Sequence, residues 1–339
     1  MKIPVRWWVV LSVVLSFVAM GLVPAFAQSG SRPLLLVANQ TDHTLSVIDP
    51  AAGKEIAAIP VGGVTGHEVA VSADGKLAFV PIYGDSGVGR PGTDGSSMSV
   101  IDIAARKVVG SVDFGHGVRP HMPLYEPGSG LLYVTTELDK AVTIIDPKTL
   151  KVVGKIPTGQ EQSHMLAVTR DGKRGYTANV GPGTVSVLDM AAHRTIAVVP
   201  ISGTTQRISI SRDDSMVFTA DQTAPRMAVV DTATNRVKTW IHLPAVGYGS
   251  ATTLDGRWLL VAMAAPQQVA VVDLGTMKVA RTIDVPPGGA GEILMRPDGK
   301  VAYVSCPSGK QVAEIDLATW KVARMIDAGN KADGLAWVK

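Results

Sequence analysis

The chain has 339 residues, 46% of them hydrophobic and 18% charged, with a formal net charge of +3. That is ample apolar material for a sizeable core, and it leaves no Lys/Arg block that would track a phosphate backbone, so no nucleic-acid partner is expected. A single cysteine, Cys306, excludes an internal disulfide, and stability has to come from packing.

In chain order, the first segment reads "MKIPVRWWVVLSVVLSFVAMGLVPAFA". Lys2 and Arg6 precede an apolar run, and Ala25-Phe26-Ala27 precedes Gln28, which is the pattern of a secretory signal over residues 1–27. An uncleaved anchor is the competing reading, because the run approaches a bilayer-spanning length; the small-residue site favours cleavage after Ala27. The mature chain, 28–339, would then carry 30 basic against 29 acidic residues, with no membrane span and a periplasmic or secreted location.

From Leu34 onward one unit repeats. A "VID"-like tripeptide closes an alternating apolar strand at Asp49, Asp102, Asp146, Asp189, Asp231, Asp273 and Asp316, at spacings of 53, 44, 43, 42, 42 and 43 residues. The third copy shows the pattern: "LLYVTT", "AVTIID", "VVGKIPTG" and "HMLAVT" are short β-branched and apolar runs, separated by "ELDK", "PKTLK" and "RDGK". Four strands in a period near 43 residues make a propeller blade, and seven markers make a seven-bladed all-β propeller. The C-terminal "DGLAWVK" matches the inner strand "HEVAVS". It is expected to complete the blade that the N-terminal strand opens.

"LVANQTDHTLSVIDPAAGKEIAAIPVG", "YVTTELDKAVTIIDPKTLKVVGKIPTG" and "YTANVGPGTVSVLDM" resemble the YVTN-type propeller repeats of exported bacterial and archaeal proteins, over residues 33–339. That repeat group is similar to the propellers of bacterial lactonases, nitrous oxide reductase and haem-binding nitrite reductases. The resemblance implies the fold, and its plain members mostly lack an established activity. No blade carries the Gly-His…Trp-Asp pair of WD40 repeats.

Let a to d denote the strands of a blade from the channel outward. Antiparallel order places the a–b and c–d turns on one face, where Asp74, Asp171, Asp255 and Asp298 read as turn formers. The d–a and b–c loops share the other, irregular face, where function concentrates. The start of strand a gives one residue per blade around the channel mouth: His67, His121, His164, Gln206, Tyr248, Gly291 and Asp333. The second blade's insertion, Tyr83–Ser97, adds Tyr83, Asp85, Arg90 and Asp94 to this face near His121, and His116 lies in the neighbouring d–a loop.

Three readings of the histidine row stand side by side. Neutral imidazoles from three blades can hold a divalent transition metal whose bound water attacks an ester or lactone, with Asp333 or Glu68 as base. The same face, with His67, His121, His164, Gln206, Tyr248, Asp333, Tyr83, Arg90 and His116, can bind a small molecule without metal. Or the histidines are structural, propagated by repeat duplication. Cys306 occupies the slot of Asn39 and Asn179 and reads as a small packed residue; His43, His193 and His242 read as solvent-exposed. No phosphate loop, Ser-His-Asp order or CxxCH motif occurs, which excludes a c-type cytochrome. The functional expectation is an exported, monomeric propeller that binds a small ligand or a periplasmic or surface protein at the histidine-bearing face. A metal-dependent lactonase-type hydrolase and a non-catalytic scaffold for a redox or surface partner are the alternatives.

Overall fold

A computed structural model describes residues 1, 2, 4, 32–285 and 288–339. The signal-segment reading of 1–27 falls almost wholly outside them. Among the described residues no helix is long and apolar enough to cross a membrane.

Residues 32–339 form seven four-stranded antiparallel sheets. Blade 1 holds Leu34–Asn39, Thr44–Asp49 and Lys54–Pro60, and its innermost strand is the C-terminal Ala332–Val338. The ring is therefore closed by pairing the two ends of the fold, from Leu34 against Val338 to Asn39 against Ala332. Blades 2 to 7 run consecutively, with inner strands Ala70–Val71, Pro120–Glu126, Ser163–Val168, Thr205–Ile210, Ser250–Thr252 and Ile293–Met295.

The sequence pattern follows from this packing. Strands b and c lie between neighbouring blades, so "LLVAN" and "LSVI" are buried on both faces and lose the simple alternation of a half-exposed strand. The apolar clusters accordingly join adjacent blades: Leu36, Leu45 and Val47 of blade 1 pack with Ala78, Val80 and Ile101 of blade 2. The outer d strands alternate, and each buries its sixth residue (Ile59, Val112, Ile156, Val199, Ile241, Ile283, Ile326), an anchor worth about 1.5–3 kcal/mol apiece.

The repeat aspartates are architecture. Asp49 Oδ1 accepts from the N–H groups of Ala51 (2.9 Å) and Ala52 (3.0 Å), capping the c–d turn, and Asp316 does the same for Ala318 and Thr319. On the a–b turns, Asp74, Asp171, Asp255 and Asp298 each accept from the N–H two residues on, at 3.0–3.1 Å. Asn39 and Asn179 end strand b and donate to Ser46 (2.7 Å) and Ser186 (2.9 Å). Cys306 fills the equivalent slot fully buried, and burial pushes its thiol up to about 11, which makes it inert at neutral pH. His193 and His242 are exposed and His43 is half-buried.

The insertion of blade 2 differs from a long loop. Tyr83 and Gly84 end strand b (Leu77–Gly84), and Asp94–Ser97 begin strand c (Asp94–Asp102), so the added residues lengthen a hairpin whose loop is only 85–93. The hairpin is held by Arg119, which donates to Asp94 Oδ1 (2.6 Å) and to the Gly87 carbonyl (3.3 Å).

Candidate functional site at the channel mouth

Inner strands start irregularly, and this irregularity builds the site. Pairing between strands a and b skips a register at four blades: between Pro120 and Pro123, Ser163 and Met165, Gln206 and Ile208, and where Asp333–Gly334 oppose Val37–Asn39. Each skip is a β-bulge, which leaves a residue unpaired and re-aims its side chain. The bulged residues include His121, His164, Arg207 and Asp333, and all four side chains are buried at the mouth.

Arg207 is the centre. Its side chain is 2% exposed and reaches across the channel from blade 5. Nη1 donates to Glu68 Oε1 of blade 2 and to Glu292 Oε2 of blade 7 (2.9 Å). Nη2 donates to Asp333 Oδ1 of blade 1 (2.8 Å) and to the Tyr248 hydroxyl of blade 6 (3.1 Å), with the guanidinium 4.6 Å from the centre of the Tyr248 ring. Blades 1, 2, 5, 6 and 7 are thus tied by one side chain, which plugs the channel. Glycines make the room: a Cβ on Gly334 would strike Glu68, and one on Gly249 would strike Glu292.

One cation faces three carboxylates here. Burial drives the carboxyl of Glu68 well above its ordinary range against the pull of Arg207, and burial raises Glu292 in the same way. Burial also works against the charge of Arg207, but Tyr248, Glu68, Asp333 and Glu292 outweigh it and hold the guanidinium protonated.

Beside this hub the three predicted histidines meet in a tilted row. The His121 and His164 rings lie 3.5 Å apart between centroids, and His67 lies 4.9 Å from His121. Tyr83 closes the group edge-on, 5.5 Å from His121. Glu137 bridges Tyr83, whose hydroxyl donates at 2.7 Å, and His164 Nδ1. Gln206 Nε2 lies 3.2 Å from His164 Nε2, and Gln40 Nε2 lies 3.1 Å from His67 Nδ1 and donates to Asp333 Oδ2. His121 is fully buried, and neither ring nitrogen has a well-formed hydrogen bond among the described residues; the nearby His164 carbonyl already accepts from Thr135 Oγ1 (2.7 Å). Burial, then the neighbouring His164 and His67, hold His121 neutral.

This geometry bears on the metal reading of His67, His121 and His164. The rings are tilted against one another, by 34° between His121 and His164 and 57° between His67 and His121, and the Nδ1 atoms of His67 and His164 already face Gln40 and Glu137. Among the described residues no three His, Cys, Asp or Glu side chains stand as a metal-holding group. Two further predicted residues lie apart from the mouth cluster. His116 is exposed and pairs with Asp139 (2.8 Å), and Arg90 is exposed in the hairpin loop. Of the two candidate bases, Glu68 is buried in the hub and Asp333 lines an open space.

That space is a pocket of about 190 Å³, lined by Gln40, Tyr248, Gly291, Lys331 and Asp333 with Ala264, Ala290 and Pro307. Arg207, Glu292, Glu137, Gln40 and Lys331 escape the one-residue-per-blade rule. Their signal is in neighbouring rows: Glu68, Met122, Met165, Arg207, Gly249, Glu292 and Gly334 all follow a ring residue, and charges there have no place in an apolar strand.

The site has a pH signature. Burial brings His67 down to about 4 from its ordinary 6.5, against the pull of Asp333. The unfolded chain takes up this proton below pH 6.5 and the folded one only near 4. Folding stability should therefore fall as pH drops across that window, by up to roughly 3 kcal/mol. An NMR titration of the ring, assigned with His67→Gln, should show a midpoint near 4; a midpoint at 6–7 would place the ring in water.

No family model matches the chain, and no curated protein matches it. Solved structures do. A periplasmic gluconolactonase of Pseudomonas aeruginosa superposes with a TM-score of 0.71 at 17% identity, over 91% of this chain and 99% of that one. A functionally unknown protein from Desulfotomaculum acetoxidans gives 0.73 at 12% identity, over 90% and 98%. A dihydro-heme d1 dehydrogenase, solved in complex with DHE, gives 0.65 at 15% identity, over 89% and 74%. At these identities the likeness shows the fold: this chain is a seven-bladed β-propeller.

Proposed function

We propose that this protein is an exported propeller of YVTN type that binds a small polar molecule at the channel mouth. The observation that carries the reading is the Arg207 hub. A guanidinium, three carboxylates, a tyrosine and a cluster of histidines are buried together where a propeller needs only apolar packing. Stability does not require such a network, since buried ion pairs are often no better than the apolar residues that would replace them. Groups with shifted protonation clustered at an opening mark functional sites. The pocket beside them is smaller than the ~300–1,000 Å³ typical of drug-sized ligands, which favours a small ligand over a tetrapyrrole.

Thermal-shift titration with a panel of small carboxylates, polyols and sugar lactones tests this. At least one compound should raise the melting temperature of the wild type and fail to do so for Tyr248→Phe and Gln40→Ala. If no compound shifts the wild type, or the variants respond identically, the mouth is not a ligand site.

A second reading, a lactonase-type hydrolase, is favoured by one feature: Asp333, a candidate base, borders the pocket and is oriented by Arg207 and Gln40. Hydrolysis of gluconolactone above its spontaneous rate, lost in Asp333→Asn, would support it. Loss on chelation would support the metal reading.

A further inference from the structure

The pocket exists because the mouth is incomplete at one point. Six of the seven ring positions carry side chains that crowd the channel, and the seventh is Gly291. The residues that follow strand b show the same gap. Gln40, Glu137 and Gln222 stand there in blades 1, 3 and 5, whereas blades 6 and 7 carry Ala264 and Pro307. Two small rows coincide, and the hollow between Tyr248 and Asp333 results.

Its lining is two-sided. Ala264, Ala290 and Pro307 give an apolar wall. At the rim stands Lys331, whose ammonium is exposed and makes no ion pair among the described residues. Its charge is felt at His67, so it lies over the mouth. No ion pair joins it to Asp333, whose two oxygens accept from Arg207 and from Gln40.

We propose that this hollow receives a short-chain monocarboxylate, with the carboxylate on Lys331 and the hydrocarbon chain against Ala264, Ala290 and Pro307. The proposal rests on the reading of the mouth as a ligand site and gives that ligand its chemistry. A single cation suits a monoanion. The carboxyl groups around Arg207 oppose each added negative charge, so a dianion such as phosphate is disfavoured more than a monoanion. A polyol would leave its hydroxyls unpaired against the apolar wall. Taking ~30 Å³ per water-sized group, the hollow holds an acid of about six heavy atoms.

Calorimetric titration of the full chain with butyrate and with butyramide, at matched ionic strength, decides it. Butyrate should bind at least tenfold more tightly than butyramide. Lys331→Gln should bring butyrate down to the amide's level, and Ala264→Phe, placed at an exposed rim position, should abolish both. Near-UV circular dichroism confirms that each variant is folded. Equal binding of acid and amide, indifferent to Lys331→Gln but lost in Ala264→Phe, would overturn the carboxylate and leave the mouth as the ligand site. No butyrate binding to the wild type, with another compound of the panel binding, would again overturn the carboxylate alone. No binding by any compound overturns both.

Discussion

A chain ending at Lys331 is expected to lose its cooperative unfolding transition. The missing strand, Ala332–Val338, is the inner wall of blade 1 and the only covalently distant piece of that sheet. It buries Ala332 and Leu335 against Leu35, Val37 and Tyr303, and Ala336 and Val338 against Leu36 and Val80. Trp337 stacks on Tyr303 at 6.0 Å. At about 1.5–3 kcal/mol for each large buried side chain, the loss is about 6 kcal/mol. That is comparable with the whole ~5–15 kcal/mol margin of a folded domain. Truncation also bares the backbone edge of Leu34–Asn39 and opens the ring between blades 7 and 2. By contrast, Leu335→Ala should keep a single transition and lower it by about 2–4 kcal/mol. Guanidinium titration followed by circular dichroism separates the two. A truncated chain that unfolds cooperatively within about 1 kcal/mol of the full one would show that closure by the last strand is dispensable.

The closure was legible because "DGLAWV" repeats the pattern of "HEVAVS". The blade count was legible because each aspartate caps its own turn and so recurs at the repeat spacing. The histidine row was legible in part: the start of strand a does point into the channel, and His67, His121 and His164 do meet. Two things defeated a reading by register. A bulge moves one residue out of step, so Arg207, which a two-residue period turns toward the next blade, faces the channel instead. And the partners of Arg207 lie as far away in sequence as Glu68 and Asp333, brought together only by the width of the closed ring. Ring orientation was illegible for a related reason. Register places three histidines on one arc but says nothing of ring orientation, and Glu137 and Gln40, which set that orientation, come from the b–c loops.

Arg207→Met is the substitution expected to matter most at the site, and its effect should depend on pH. It leaves Glu68, Glu292 and Asp333 buried together with no cation, and breaking a buried pair in this way costs about 3–5 kcal/mol. Without Arg207 the folded-state carboxyls of Glu68 and Glu292 rise further above their unfolded values near 4. A carboxyl raised in the folded state keeps a proton that the unfolded chain gives up. Its contribution is therefore intact below the unfolded value and lost as pH climbs toward the folded one. The variant should accordingly lie close to the wild type at pH 5 and far below it at pH 8, measured by chemical unfolding at both. Adding Glu68→Gln and Glu292→Gln should restore most of the loss at pH 8, since the neutral amides need no cation. Arg207→Lys should restore only part, because an ammonium lacks the planar fork that reaches four partners at once. An equal loss at pH 5 and pH 8 would mean that Arg207 holds the mouth by packing, and the hub would then be a plug whose charges have no bearing on what the pocket beside it binds.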